Sequence, residues 1–171
     1  RRRALNPFAE RIADRGGEFR RHAVRKIERV GRVDQRLPGE IFGVVGADGS
    51  GKTTLLQMLA AILDPTEGSC QVLGFDTVRQ AAAVTGRIGY MSQGFTLYER
   101  LTVAENLDFA ARVRNVDAAA FDERQRRLLA MAGLERFVDR RAERLSGGMK
   151  KKLALCANLI HQPRVLLLDE P

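Results

Sequence analysis

The chain has 171 residues, an apolar fraction of 44% and a formal net charge of +8, enough for one domain with a real core. The charge is uneven: residues 1–36 hold 12 Lys/Arg against 5 Asp/Glu, a net of +7, and the remainder holds 17 against 16, a net of +1. The basic balance therefore describes an N-terminal arm and is weak evidence for a nucleic-acid-binding domain. No run of about 18 apolar residues exists to span a membrane, and no apolar stretch suits a secretory signal. The chain does not open on Met, as expected of one that begins mid-protein.

In chain order, Phe19, Ala23, Ile27 and Val30 recur at helical spacing, so the arm reads either as a basic amphipathic helix or as a poorly ordered segment. Leu37-Pro38-Gly39-Glu40 marks a turn. The apolar run Ile41–Val45 suits a buried parallel strand, and a Gly-rich loop follows from Gly46 to Gly51. Leu55, Leu56, Met58, Leu59, Ile62 and Leu63 predict a helix that Asp64-Pro65 stops. Gln71–Leu73 and Arg87–Ser92 read as strands. Thr102 with Glu105 forms a capping box for a helix through about Arg114. Residues 117–132 predict another helix, ending near Gly133. Ser146 caps a third, with Met149, Leu153, Cys156 and Ile160 on one face. Pro163 ends it, and Val165–Leu168 is the next buried strand. Strands alternate with helices, which makes the class α/β with a mostly parallel sheet. Cys70 and Cys156 have no metal-ligand spacing and read as reduced thiols.

Gly46-Ala47-Asp48-Gly49-Ser50-Gly51-Lys52-Thr53 fits GxxxxGK[ST] between a predicted strand and a predicted helix, the context that gives the match its meaning. A polyphosphate needs several N–H donors converging on it, and glycines let the backbone curl closely enough. The helix that begins near Gly51 adds free N–H groups and its positive dipole end. Lys52 supplies a point charge, and Thr53 offers a hydroxyl to Mg²⁺. Val165–Leu168 ends in Asp169 and Glu170, on the sheet edge where ligands of parallel α/β folds bind. Asp169 suits Mg²⁺, and Glu170 suits a general base on an attacking water, a role worth about 10²–10⁴ in rate. Leu145-Ser146-Gly147-Gly148 opens the third helix, either as a second anion nest or as a plain cap. Gln93 ends an apolar strand, where a neutral amide can reach both metal and water.

In this order and spacing, Gly46–Thr53, Gln93, Leu145–Gly148 and Val165–Glu170 resemble the ATP-binding subunits of ABC transporters. The resemblance covers about residues 38–171. It implies an α/β P-loop NTPase (RecA-like) core with a mostly parallel sheet, made of residues 38–93 and 154–171, and incomplete at the C-terminus. A helical signature subdomain, residues 94–153, is inserted into it, and residues 1–37 stand outside as the basic arm. ATP and Mg²⁺ are the implied cofactors. Nucleotide binding falls to Gly46, Ala47, Asp48, Gly49, Ser50, Gly51, Lys52, Thr53, Thr54 and Gln93, metal binding to Thr53, Gln93 and Asp169, and catalysis to Glu170. The implied partners are a second ATP-binding domain, docked head to tail so that Leu145, Ser146, Gly147 and Gly148 act in trans, and an integral membrane transporter domain. The implied location is cytoplasmic, peripheral on the inner face of the cell membrane.

Met149-Lys150-Lys151-Lys152-Leu153, where most signatures continue with Gln, looks like the ABC-2 type exporters. Asp64–Gly68 and Leu101–Asn106 also resemble that group. The alternative is a soluble ABC ATPase that acts on ribosomes or nucleic acid through the basic arm. Two features depart from the family. The chain stops at Pro171, directly after Glu170, where relatives continue through a loop that begins near an Asp and on to a His that contacts the γ-phosphate. The adenine-stacking aromatic is expected near Ala23, which cannot stack; Phe19 and His22 are the neighbouring candidates, and a lost ring contact would forfeit about 1–3 kcal/mol. The Arg-rich start also admits a misread or out-of-frame origin. The chain by itself is expected to bind ATP weakly and to hydrolyse it poorly or not at all.

Overall fold

The computed structural model describes residues 25–26, 39, 41–94 and 97–169. The chain divides into two compact units, residues 1–53 and 54–171. In the first, β1 (Arg25–Lys26) pairs in parallel with β2 (Val44–Val45) in the register Arg25↔Val44 and Lys26↔Val45. Arg25 and Lys26 lie within the Phe19–Val30 helical spacing, yet they extend as a strand. Phe19, His22, Ala23, Ile27 and Val30 lie outside the described residues. The strand expected over Ile41–Val45 is confined to its last two residues, and Ile41 is exposed.

Helix α1 (Lys52–Leu59) starts at the end of the Gly-rich loop and runs into the second unit. Apolar periodicity through Leu63 predicts a longer helix. It stops earlier because Ala61 takes the left-handed conformation, φ 56°. The Ile62 N–H bonds the Gln57 carbonyl at 3.0 Å and the Ala61 N–H bonds the Met58 carbonyl at 3.1 Å, the double bond of a Schellman termination. Ile62 and Leu63, counted as helix face from the sequence, are exposed.

Next comes an antiparallel hairpin, β3 (Gln71–Val72) with β4 (Phe75–Asp76), turned by Leu73 and Gly74 at φ 55° and 82°. It is an antiparallel addition to an otherwise parallel set of strand pairs. The short helix α2 (Ala81–Thr85) leads into β5 (Ile88–Met91). Its parallel partner is the distant β6 (Val165–Leu168), in the register Ile88↔Val165 to Met91↔Leu168. Ala60, Val72, Val84, Ile88 and Leu167 form the core over this pair, with Leu56, Leu59, Phe75 and Tyr90 against it.

The crossover from β5 to β6 is helical. It comprises α3 (Val103–Val113), α4 (Ala118–Ala132), two 3-10 turns (Glu135–Phe137 and Ala142–Arg144) and α5 (Gly147–Leu159). The starts follow from local chemistry. Thr102 and Glu105 make the full capping box, Asp117 accepts from the Ala119 N–H, and Ser146 accepts from the Met149 N–H. Gly133, at φ 68°, closes α4. Val103, Leu107 and Ala111 bury one stripe of α3, and Leu153, Cys156 and Ile160 are fully buried on or just beyond α5, each large aliphatic contributing about 1.5–3 kcal/mol. Met149, expected on that same face, is half-buried. Both cysteines are free, and burial pushes the Cys156 thiol up to about 12, which leaves it inert. The fold is therefore mixed α/β, with a parallel strand core and a helical subdomain. No helix among the described residues is long and apolar enough to cross a membrane.

Candidate functional site

The phosphate loop lies between β2 and α1. Gly49 and Gly51 sit at φ 76° and 88°, in the left-handed region that glycine takes without strain. At Gly46 a Cβ would stand 2.5 Å from the Ser50 hydroxyl oxygen and 3.3 Å from the Ser50 Cβ, so a side chain there would push that of Ser50 aside. The loop closes with a bond from the Ser50 N–H to the Ala47 carbonyl at 3.1 Å. Lys52, the first residue of α1, folds its ammonium back over the loop and donates to the carbonyls of Gly46 and Ala47 at 3.1 and 2.9 Å. Ala47, Asp48, Gly49, Ser50, Thr53 and Thr54 are exposed. No acidic residue stands in the first turn of α1 to compensate its positive end. The result is an exposed Gly-rich loop that opens a helix, with one cation folded over it, a setting suited to a polyphosphate.

In the second unit, Gln93 and Asp169 come to one sheet edge. β5 ends at Met91 and β6 at Leu168, these two residues are in register, and the Asp169 N–H continues the ladder to the Met91 carbonyl at 2.9 Å. Asp169 is only 4% exposed, whereas Gln93 sits on an exposed turn two residues past Met91. Glu170, the expected catalytic base, lies outside the described residues. The donors expected for Mg²⁺ are a hydroxyl (Thr53), an amide oxygen (Gln93) and a carboxylate (Asp169), all hard oxygen ligands that fit such an ion.

The signature turn holds Leu145 buried, with Ser146, Gly147 and Gly148 exposed. The Ser146 oxygen takes the Met149 N–H at 3.3 Å. A Cβ on Gly147 or Gly148 would meet nothing within 4 Å, so both glycines face open space.

Three features at the site escape motif reasoning. Tyr90, on β5, has its phenol pushed up by burial and then by the nearby Asp169 carboxylate. Asn106 is 4% exposed and ties down the segment that follows Gln93, its Oδ1 accepting from the Tyr98 N–H at 2.9 Å. Lys150 donates to Glu99 at 2.8 Å across 51 positions of sequence. The one available signal was for Asn106, a polar residue on the apolar stripe of α3 that needs buried partners.

Known proteins resemble this chain in sequence and in fold. The family described as ABC transporter matches residues 35–171. The chain is 50% identical over 133 residues to the probable multidrug ABC transporter ATP-binding protein YbhF of Escherichia coli (strain K12), covering 78% of this chain and 23% of that protein. It is 35% identical over 168 residues to the probable sulfate/thiosulfate import ATP-binding protein CysA of Chlorella vulgaris, covering 98% of this chain and 67% of that protein. Among solved structures, the dimeric post-hydrolysis state of the ATP-binding cassette MJ0796 bound to ADP and Pi matches with a TM-score of 0.64 and 30% identity, over 73% of this chain and 58% of that one. The chain thus spans about a quarter of the multidrug relative's length.

Proposed function

Because this chain belongs to the ABC transporter family, we propose that it is the ATP-binding, energy-coupling part of an exporter. The observation that carries the proposal is the phosphate cradle, with the Lys52 ammonium seated on the Gly46 and Ala47 carbonyls. Incoming phosphate oxygens replace those two carbonyls, so the cation is already placed where charge must be met. Gly46–Thr53 and Thr54 hold the phosphates. Thr53, Gln93 and Asp169 hold Mg²⁺, which neutralises phosphate charge when bound. Glu170 takes a proton from the attacking water.

Residues 38–93 and 154–171 act as the catalytic core in this reading, and residues 94–153 carry the signature. Leu145–Gly148 meets the nucleotide of a second ATP-binding domain, for which the dimeric cassette gives support. An integral membrane domain is the other partner, which puts the subunit on the cytoplasmic face of the membrane. Export is favoured by the half-identical relative named for multidrug transport and by the Met149–Leu153 run. A more distant relative is named for import.

The test uses the full-length protein that contains this chain, with its membrane partner in vesicles. ATP turnover is expected to fall by about 10²–10³ in Lys52→Ala, the loss typical of one transition-state donor, and substrate should move outward only with ATP. Turnover unchanged in Lys52→Ala would sink the nucleotide reading; inward movement would sink the direction alone.

A further inference from the structure

Lysines sit badly in the first turn of a helix, where the dipole is already positive. α5 has Lys150 at the end of its first turn and Lys151 and Lys152 in its second, one residue beyond the Ser146-Gly147-Gly148 turn. Two are in use. Lys152 donates to the Ala132 carbonyl at the end of α4, at 3.1 Å. Lys150 donates to the Glu99 carboxylate at 2.8 Å, with only 25% of its own side chain exposed.

Glu99 holds more than this one lysine. Its backbone carbonyl accepts from the Glu143 N–H at 3.0 Å. The same stretch of chain continues the stitching, with the Ala142 N–H on the Leu101 carbonyl at 2.9 Å and a bridge between Thr102 and Arg141. One residue therefore grips the strap that enters the signature turn through its carbonyl, and the helix that leaves it through its carboxylate. Lys150 lowers the pKa of that carboxylate below its ordinary value, through the hydrogen bond and then through its charge.

We propose that Glu99 and Lys150 are positioning residues that bracket Ser146–Gly148 and fix the direction in which its N–H groups point. The proposal rests on the ATPase reading above, in which those N–H groups meet a partner's nucleotide. The pair acts through the turn and touches no substrate. It also joins the signature to the segment that follows Gln93.

The experiment is a charge-swap cycle in the full-length protein, comparing Glu99→Lys, Lys150→Glu and the double exchange, with Lys150→Arg as the conservative variant. Each single reversal is expected to lower kcat about tenfold, a fraction of the hundredfold that a 1 Å misplacement can cost. Binding of a fluorescent ATP analogue to the undimerised protein should stay unchanged, because the phosphate loop is untouched. The double exchange should recover kcat to within about threefold, and Lys150→Arg should retain it. Should a reversal prevent folding, Glu99→Gln and Lys150→Gln replace it, with the same losses expected. Wild-type kcat in the single variants, or a double exchange no better than the worse single, overturns the proposal and leaves the ATPase reading standing. Absence of Lys52-dependent turnover in the wild type overturns both.

Discussion

Asn106 offers the sharpest test of how the segment after Gln93 is held. Its Oδ1 accepts from the Tyr98 N–H at 2.9 Å, and its Nδ2 donates to the carbonyls of Thr102, Tyr98 and Leu101 at 2.8, 3.1 and 3.2 Å. An amide nitrogen has two protons, so three carbonyls share two donations. Asn106→Leu keeps the shape and removes all of it. The orphaned Tyr98 N–H costs about 1–3 kcal/mol and each lost donation about 0.5–1.5 kcal/mol, partly offset by the added apolar burial. The net expectation is a loss of about 3 kcal/mol, which for a domain of this size lowers Tm by about 6–12 °C. Asn106→Asp should be worse at neutral pH, since a carboxylate has no proton to give and faces three carbonyls. Urea titration of the three proteins measures the differences directly. A loss below about 1 kcal/mol in Asn106→Leu, or an Asp variant more stable than the Leu variant, would show that the amide does not hold this segment.

Gly89→Ala should destabilise by about 1–3 kcal/mol through overpacking, because its Cβ would lie 2.7 Å from the Asn158 carbonyl oxygen and 2.9 Å from Leu166 Cδ1; thermal melts that coincide with wild type would contradict the close approach. Leu73→Asn should stabilise by about 0.5–1 kcal/mol, since Leu73 at φ 55° precedes Gly74 at φ 82° in a hairpin turn that favours Asn-Gly; a lower urea midpoint would refute it. His161 bonds the Ile88 carbonyl at 3.0 Å, and burial, with the charges of Arg114 and Arg124, lowers its pKa below the ordinary 6.5. A depressed folded pKa means the unfolded chain takes up the proton first. Stability is therefore full above about pH 6.5 and declines as the pH falls toward the folded value. Imidazole NMR should place the His161 midpoint below 6.5; a midpoint above it reverses the sign.

What was legible in the sequence is what local chemistry decides. Thr102 with Glu105, Ser146 and Gly133 mark helix ends through hydrogen bonds that span a few residues, so their spacing is visible in a line of letters. The phosphate loop is legible for the same reason. Leu73 and Ala61 are not, because neither is a residue that announces a left-handed turn, and the apolar letters Ile62 and Leu63 continue a period that the backbone has already left. Glu99 and Lys150 could not be paired from spacing, since 51 positions separate them. Contacts of that kind exist only once α3 and α5 have packed.

The placement of Asp169 shows how motif and packing depend on each other. The motif says that an acid ends a buried strand, but the height at which it ends is set by register. β5 and β6 are parallel, with Met91 opposite Leu168, so Gln93 and Asp169 emerge on one edge for as long as that register holds. A slip of one residue would turn each side chain of β6 to the opposite face. Gly89 is opposite Leu166 in the same ladder, and its missing Cβ is what lets Asn158 and Pro163 close over the strand. Those residues belong to the end of α5 and the loop after it, whose other end is the signature turn. A glycine outside all the recognised motifs thus helps fix where the acidic strand stops, and the helix that presses on it carries the Ser-Gly-Gly turn at its far end.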